Sequence, residues 1–173
     1  MREIQIDLAR IQGNYKQLKA LVAPSEVMAI VKANAYGHGM HEVAQALEDI
    51  SVDALGVADL EEAIALRAAG IKSRLMCWIL SVDDDFAMAA EQDIELGVSN
   101  FDVLEAALSA NVKNIHIKID TGLGRAGFAR SQWAEVFTKL SGKTIGLFSH
   151  LSNTSDEEDR KQEQLFLEAE AIA

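Results

Sequence analysis

One cysteine and one proline, Cys77 and Pro24, are all that the 173 residues carry of those two types. A single thiol excludes an internal disulfide and a cysteine metal cluster. Its place in Leu75-Met76-Cys77-Trp78-Ile79-Leu80 marks it as a packed core group rather than a nucleophile. Positive charge is also scarce: 16 Lys and Arg against 27 Asp and Glu leave a formal charge of −11, and no basic cluster interrupts it. A chain that must meet phosphates needs a basic field, so neither nucleic acid nor an anionic membrane is an expected partner. No apolar run approaches the roughly 18 residues of a membrane span, and the mixed opening Met1-Arg2-Glu3-Ile4 is unlike a secretory signal. Cytoplasm is the expected compartment. The four histidines have no metal-ligand spacing, which removes the expectation of a metal site. What remains, 49% hydrophobic and 25% charged residues, is the composition of a soluble globular chain long enough for one core.

The same unit recurs along the chain: an apolar strand, a polar turn, an amphipathic helix. Strands are expected at 3–6, 27–32, 54–58, 74–80, 95–98, 114–120 and 144–149. Asp7 can cap a first helix with Leu8, Ile11, Tyr15, Leu18 and Leu21 on one stripe, ending before Pro24. Further helices are expected near 41–47, up to residue 69 behind the pair Asp59 and Glu62 with Gly70 as its stop, and behind Ser81 with Asp84. Others follow at 101–110 behind Ser99 with Asp102, at 131–140, and behind Ser155 with Glu158, where the acidic residues 156–159 complement the helix dipole. Trp78 and Trp133 are expected as core or helix-packing groups.

Strands alternating with helices, each crossover long enough to return parallel, describe an α/β protein with right-handed βαβ connections. About six strands after the opening one fall about two units short of a (β/α)8 barrel, which usually needs about 250 residues. Either the sheet is open or the chain is part of a longer protein. Residues 168–173, expected in mid-helix without a C-cap or a basic last turn, favour the second reading.

Three strand ends carry candidate chemistry. Val31-Lys32-Ala33-Asn34-Ala35-Tyr36-Gly37-His38-Gly39 puts a lone lysine where the apolar run from Val27 to Val31 stops, and reacting groups of parallel barrels sit just past the C-terminal strand ends. Lys32 is either a Schiff-base nucleophile or a solvated loop charge. Gly37 and Gly39 permit positive φ or a close backbone approach before a helix begins near residue 40. In Ile115-His116-Ile117-Lys118-Ile119-Asp120 the isoleucines share one face, and His116, Lys118 and Asp120 the other. That polar face belongs either to a solvated antiparallel edge or to a barrel lumen whose charges need partners or a ligand. The loop Asp120-Thr121-Gly122-Leu123-Gly124-Arg125-Ala126-Gly127 presents Arg125, whose planar fork suits a carboxylate or phosphate. Phe148-Ser149-His150 ends a strand in a histidine able to stack on a flat ring or to take a proton. Lys32, Arg125 and His150 around one barrel mouth would suit an anionic carbonyl ligand.

The segment from Val31 to Gly39 resembles the pyridoxal-phosphate attachment motif of alanine racemases, and Lys118 to Gly127 resembles that family's second signature. Ile4-Gln5-Ile6-Asp7-Leu8, Leu55-Gly56-Val57-Ala58 with Glu61-Glu62-Ala63, and Ser149-His150-Leu151 fall in the family's order. The resemblance covers the whole chain but only the N-terminal part of the family's length. It implies a (β/α)8 barrel present in part, with residues 1–173 as an N-terminal cofactor-binding domain incomplete at its C-terminus and the family's C-terminal β-domain absent. It also implies an isomerase that interconverts L- and D-alanine by two-base α-proton transfer, supplying D-alanine for bacterial peptidoglycan. By the same resemblance Lys32 attaches the cofactor pyridoxal 5'-phosphate and is the base for the D-enantiomer. Tyr36 donates its hydroxyl to the cofactor phosphate, and Arg125 faces the substrate carboxylate and the cofactor's phenolic oxygen. Lys118 holds a position that some members carbamylate, and His150 lies against the pyridine ring. The family works as a homodimer and draws its opposite-face tyrosine from the partner's β-domain, so the chain alone is expected to be inactive. A non-catalytic pyridoxal-phosphate barrel, a racemase of another amino acid such as serine, and an interaction module with idle site residues are the alternatives. The glycine-arginine loop speaks against the first.

Overall fold

The computed structural model describes residues 3–140 and 145–173, and only the backbone of Ile145. It divides into two compact units, Met1–Ile79 and Leu80–Ala173.

The first unit runs α1 (Leu8–Leu21), β1 (Met28–Ile30), a helical turn α2 (Lys32–Gly37), α3 (Met40–Glu48), β2 (Ala54–Val57), α4 (Leu60–Ala68) and β3 (Arg74–Cys77). Its strands are parallel, with Ile30 opposite Gly56 and Gly56 opposite Met76. Every residue of β2 is buried, as a parallel strand covered on both faces requires. Asp7 caps α1 by accepting the Arg10 N–H at 3.1 Å, and Asp59 caps α4 by accepting the Glu62 N–H at 2.9 Å. Both caps are those expected from the sequence.

Polar groups tie the strand entries to the helices. Asp53, ahead of β2, accepts the Val27 N–H at 3.0 Å and pairs with Lys19 of α1, while its own N–H donates to the Tyr15 hydroxyl at 2.8 Å. Lys19 and the Val27 N–H hold the Asp53 carboxyl below its ordinary range, and Asp53 in turn raises Lys19. Burial pushes the Tyr15 hydroxyl up. Glu48 of α3 accepts the N–H groups of Lys72 at 3.0 Å and Ser73 at 3.1 Å and the Ser73 hydroxyl. Burial would raise the Glu48 carboxyl, but these bonds and Arg67 bring it below the usual glutamate range.

The second unit runs α5 (Phe86–Glu91), β4 (Glu95–Val98), α6 (Phe101–Ser109), β5 (Ile115–Lys118), a 3-10 turn (Arg130–Gln132) entering α7 (Trp133–Lys139), β6 (Ile145–Phe148) and α8 (Asp156–Glu170). β4, β5 and β6 are parallel, with Gly97 and Gly146 both opposite His116. Strands parallel to their neighbours and each followed by a helix make this an α/β chain of the (β/α)8-barrel type, present in part, as the sequence pattern predicts. No helix among the described residues is long and apolar enough to cross a membrane.

Several expectations need correction. Residues 3–6 form no strand, and Ile4 is 88% exposed; β-pairing needs a neighbour, and none stands beside this segment among the described residues. The stripe of α1 buries only Tyr15, and Leu21 is 80% exposed. The caps of α5 and α6 are Asp85 and Asn100, which accept from Met88 and Val103, because a cap must reach the N–H three residues ahead. Ser81 and Asp84 instead close a turn in which Asp84 accepts the Ser81 N–H. The last helix is capped by Ser155 as expected but ends at Glu170, with Ala171 at its C-cap. Thr144, expected to start the sixth strand, lies outside the described residues.

Candidate active site

Lys32 lies two residues beyond β1, at the start of a turn that winds the wrong way for L-residues. Ala33, Asn34, Ala35 and Tyr36 have φ between 50° and 55° and ψ between 39° and 50°. One left-handed residue costs roughly 1–2 kcal/mol, so four in succession persist only when their surroundings dictate them. Part of the restraint is local. Two alanines keep the crowding small, and asparagine tolerates this region better than most residues. The Ala35 N–H reaches the Val31 carbonyl at 2.8 Å, and the Gly39 N–H reaches the Asn34 carbonyl at 3.1 Å. Gly39, at φ 91°, caps α3 without a side chain, and the Asn34 side chain accepts the Met40 N–H at 2.8 Å in its place.

The rest of the restraint comes from α4. The Glu62 carboxylate accepts the Ala33 N–H on one oxygen at 2.7 Å and the Ala58 N–H on the other at 2.8 Å. Asp59 and Glu62 are therefore not a reciprocal capping pair. Asp59 caps the helix, while Glu62 bridges the ends of β1 and β2.

Lys32 is half-buried, and its Nζ stands 5.9 Å from the ring centroid of Tyr36 and 5.7 Å from that of Trp78. Both distances are within reach of a cation–π attraction. Trp78, expected from the sequence as a core or helix-packing group, is half-buried and stands beside the amine. Gly56 makes room for it. A Cβ there would come within 2.9 Å of Trp78 Cζ3 and 2.7 Å of Ile30 Cδ1, so the bare glycine lets the indole fold across β2.

In the second unit β5 lies between two parallel strands, which rules out the solvated antiparallel edge. Ile115, Ile117 and Ile119 are buried on one face. On the other, His116 Nε2 is 2.8 Å from Glu95 Oε2, and Glu95 and Lys118 are themselves buried. The imidazole lies over Gly146, where a Cβ would meet its Cε1 at 2.9 Å. Among the described residues no buried side-chain nitrogen or oxygen lacks a hydrogen-bond partner, as burial in low dielectric demands.

Asp120 departs from the face expected for it. Its carboxylate turns into the following loop and accepts the N–H groups of Gly122 and Gly124, both at 3.0 Å. The loop closes where the Phe128 N–H reaches the Lys118 carbonyl at 2.8 Å and the Asp120 N–H reaches the Phe128 carbonyl at 3.0 Å. Gly127, at φ 129°, is required at this closure, since a Cβ would sit 2.7 Å from the Asp120 nitrogen. Phe128 is buried edge-on against Phe101 with centroids 5.0 Å apart, and the Trp133 indole donates to its carbonyl at 3.0 Å. Arg125 is exposed on this closed loop.

His150 follows β6, also exposed. Its segment is shaped by Ser149, whose hydroxyl donates to the Ile119 carbonyl at 2.9 Å and lies 2.7 Å from Thr121 Oγ1. Gln162 of α8, buried, accepts the Ser152 N–H at 3.0 Å and donates to the Ser152 hydroxyl at 2.7 Å.

The structure thus brings Lys32 and Tyr36 together at the end of β1. It sets Lys118 at the end of β5, Arg125 in the loop beyond it, and His150 beyond the neighbouring β6. Trp78, Glu62, Asn34 and Gln162 were missed by the sequence reading. Only Asn34 carried a local signal, as an asparagine ahead of two glycines. No group of three or more His, Cys, Asp or Glu among the described residues could hold a metal ion.

Comparison with known proteins follows the same lines. The model of the family described as "Alanine racemase, N-terminal domain" matches residues 6–173. The alanine racemase of Corynebacterium glutamicum is 37% identical over 161 residues, which are 90% of this chain and 45% of that protein. That of Mycolicibacterium smegmatis is 37% identical over 166 residues, 89% of this chain and 43% of the relative. The crystal structure of the Corynebacterium glutamicum alanine racemase superposes with a TM-score of 0.89 at 36% identity, covering 97% of this chain and 51% of that one. The alanine racemase from Streptomyces coelicolor A3(2) gives 0.87 at 32% identity, covering 96% and 49%. The chain spans about half the length of the curated relatives it matches.

Proposed function

The chain belongs to the alanine racemase N-terminal domain family, and from that premise we propose that residues 1–173 are the cofactor-binding barrel domain of a pyridoxal-phosphate-dependent alanine racemase. The reaction is the interconversion of L- and D-alanine by moving the α-proton between two bases. In the cell this isomerase would be cytoplasmic and homodimeric and would supply D-alanine to peptidoglycan synthesis. The observation that carries the reading is Lys32 Nζ, held by a strained turn at a strand end and faced by two aromatic rings within 6 Å.

These residues fit pyridoxal phosphate by their chemistry: a primary amine for its aldehyde, flanked by flat apolar rings of its own shape. When bound, the cofactor supplies an electron-withdrawing ring that acidifies the substrate α-carbon. Lys32 would hold it through its amine, and the same Nζ, when free, would take the α-proton of the D-enantiomer. Tyr36, 66% exposed, donates its hydroxyl to the cofactor phosphate. Arg125 receives the substrate carboxylate through its planar fork and contacts the phenolic oxygen. Lys118 is proposed as the position whose carbamylation would provide an anion to orient that arginine, and His150 would lie against the pyridine ring. The second base would come from outside residues 1–173.

The first test is chemical. The purified chain is mixed with pyridoxal phosphate, reduced with borohydride and mapped by mass spectrometry. A single label on Lys32 supports the reading; labels scattered over surface lysines, or none, refute it for this chain. By itself the 173-residue chain should racemise alanine poorly or not at all. Turnover that disappears in Lys32→Ala would defeat that expectation.

A further inference from the structure

We infer that Glu62 is the positioning residue of the Lys32 site: by bridging the Ala33 and Ala58 N–H groups it holds the left-handed turn in register with β2 and so aims the lysine amine. This rests on the reading of Lys32 as the attachment residue, and it adds a residue outside both sequence signatures.

Ala33 is the first of the four left-handed residues, and a bond from the Ala35 N–H to the Val31 carbonyl spans it. Glu62 Oε1 accepts that N–H at 2.7 Å, and Oε2 accepts the Ala58 N–H at 2.8 Å. Ala58 directly follows β2, which pairs with β1 through Ile30 and Gly56. The carboxylate therefore references the turn to a buried strand by two bonds from one rigid group. A carboxylate is the side chain for this task because both of its oxygens accept. An amide of the same shape accepts on one side and presents N–H to N–H on the other. Both carboxylate oxygens bond backbone N–H groups, so the effect of Glu62 on the lysine passes through the backbone.

Glu62→Gln and Asp59→Ala separate positioning from helix stability in the purified protein. Both disturb the start of α4, but only the first reaches Ala33. Two readings are taken well below the melting temperature, with circular dichroism confirming the fold. Hydrogen exchange without cofactor should speed up in the peptide spanning residues 33–36 by roughly tenfold in Glu62→Gln, and stay near wild type in Asp59→Ala. The rate of borohydride-trapped pyridoxal phosphate at Lys32, taken relative to surface lysines of the same molecule, should fall by roughly tenfold in Glu62→Gln and change little in Asp59→Ala. Wild-type exchange and selectivity in Glu62→Gln would overturn the inference and leave the function intact. So would equal losses in the two variants. A wild-type protein that never labels Lys32 would overturn the functional reading and this inference together.

Discussion

The loop after β1 and the loop after β5 each carry a basic residue past a strand end, and they are restrained by opposite means. The β5 loop looks after itself: Asp120 binds Gly122 and Gly124 four residues or fewer away, and Phe128 returns to the strand it left. The β1 loop is held in a conformation its residues would not choose, by a glutamate 29 positions along the chain. A self-contained loop can present a side chain to whatever arrives, which would suit the role proposed for Arg125 at a carboxylate. A strained turn defines a direction, which would suit the bond proposed at Lys32 Nζ.

The comparison can be broken most severely at the basic residues. Lys32→Ala should abolish covalent attachment of pyridoxal phosphate by mass spectrometry. Arg125→Ala should retain it, and in the active enzyme should raise KM for alanine. Attachment that survives in Lys32→Ala would remove the functional premise. Next in size is the closure of the β5 loop. Gly127→Ala drives a methyl to 2.7 Å from a backbone nitrogen at φ 129° and should cost roughly 3 kcal/mol in denaturant unfolding. Gly124→Ala, where φ is 70° with nothing within 4 Å, should cost only about 1 kcal/mol. Equal costs would show that the closure is softer than the geometry says. Asp120→Ala should cost about 1 kcal/mol and speed hydrogen exchange across residues 121–127 without altering exchange at 33–36.

The smallest effect separates the units by pH. The Glu48 and Asp53 carboxyls of the first unit sit below their ordinary values when folded. Their contribution is complete above the unfolded values and is lost as pH falls through the folded ones. In the second unit Lys139 and Lys161 are raised, by Glu105 and by Glu158 with Glu157. Those contributions are present below the ordinary lysine value and are lost as pH rises through the folded one. Mild acid should therefore raise hydrogen exchange in residues 48–73, and Glu48→Gln should flatten that dependence. Exchange at 48–73 that is indifferent to acid would contradict the assignment.

Much of this architecture was legible in residue order. Asp7, Asp59 and Ser155 announce their helices because a cap acts within three residues, and β4 falls at 95–98 as its apolar pattern requires. The place of Lys32 just past a strand end could be read from spacing, although β1 is half-buried to exposed rather than buried, and the alternation in 115–118 showed that His116 and Lys118 share a face without deciding what covers it. What was hidden depends on partners far away in sequence. Glu62 reads as half of a capping box until Ala33 is brought to it, and Trp78 reads as core until Gly56 lets the ring cross. Asp120 follows the strand's alternation in sequence but breaks it in space, because the strand has ended and the glycine N–H groups are nearer. The left-handed turn had no marker beyond short side chains ahead of two glycines.

His116 and Gly146 bear on how this molecule could change. The imidazole fills the space that a side chain on the next strand would otherwise occupy, with Glu95 fixing its far nitrogen. A larger residue at 146 is inadmissible while the ring is there, and a smaller one at 116 leaves a hole that glycine cannot close. The two positions are one unit of inheritance, open to paired replacement and closed to either step alone.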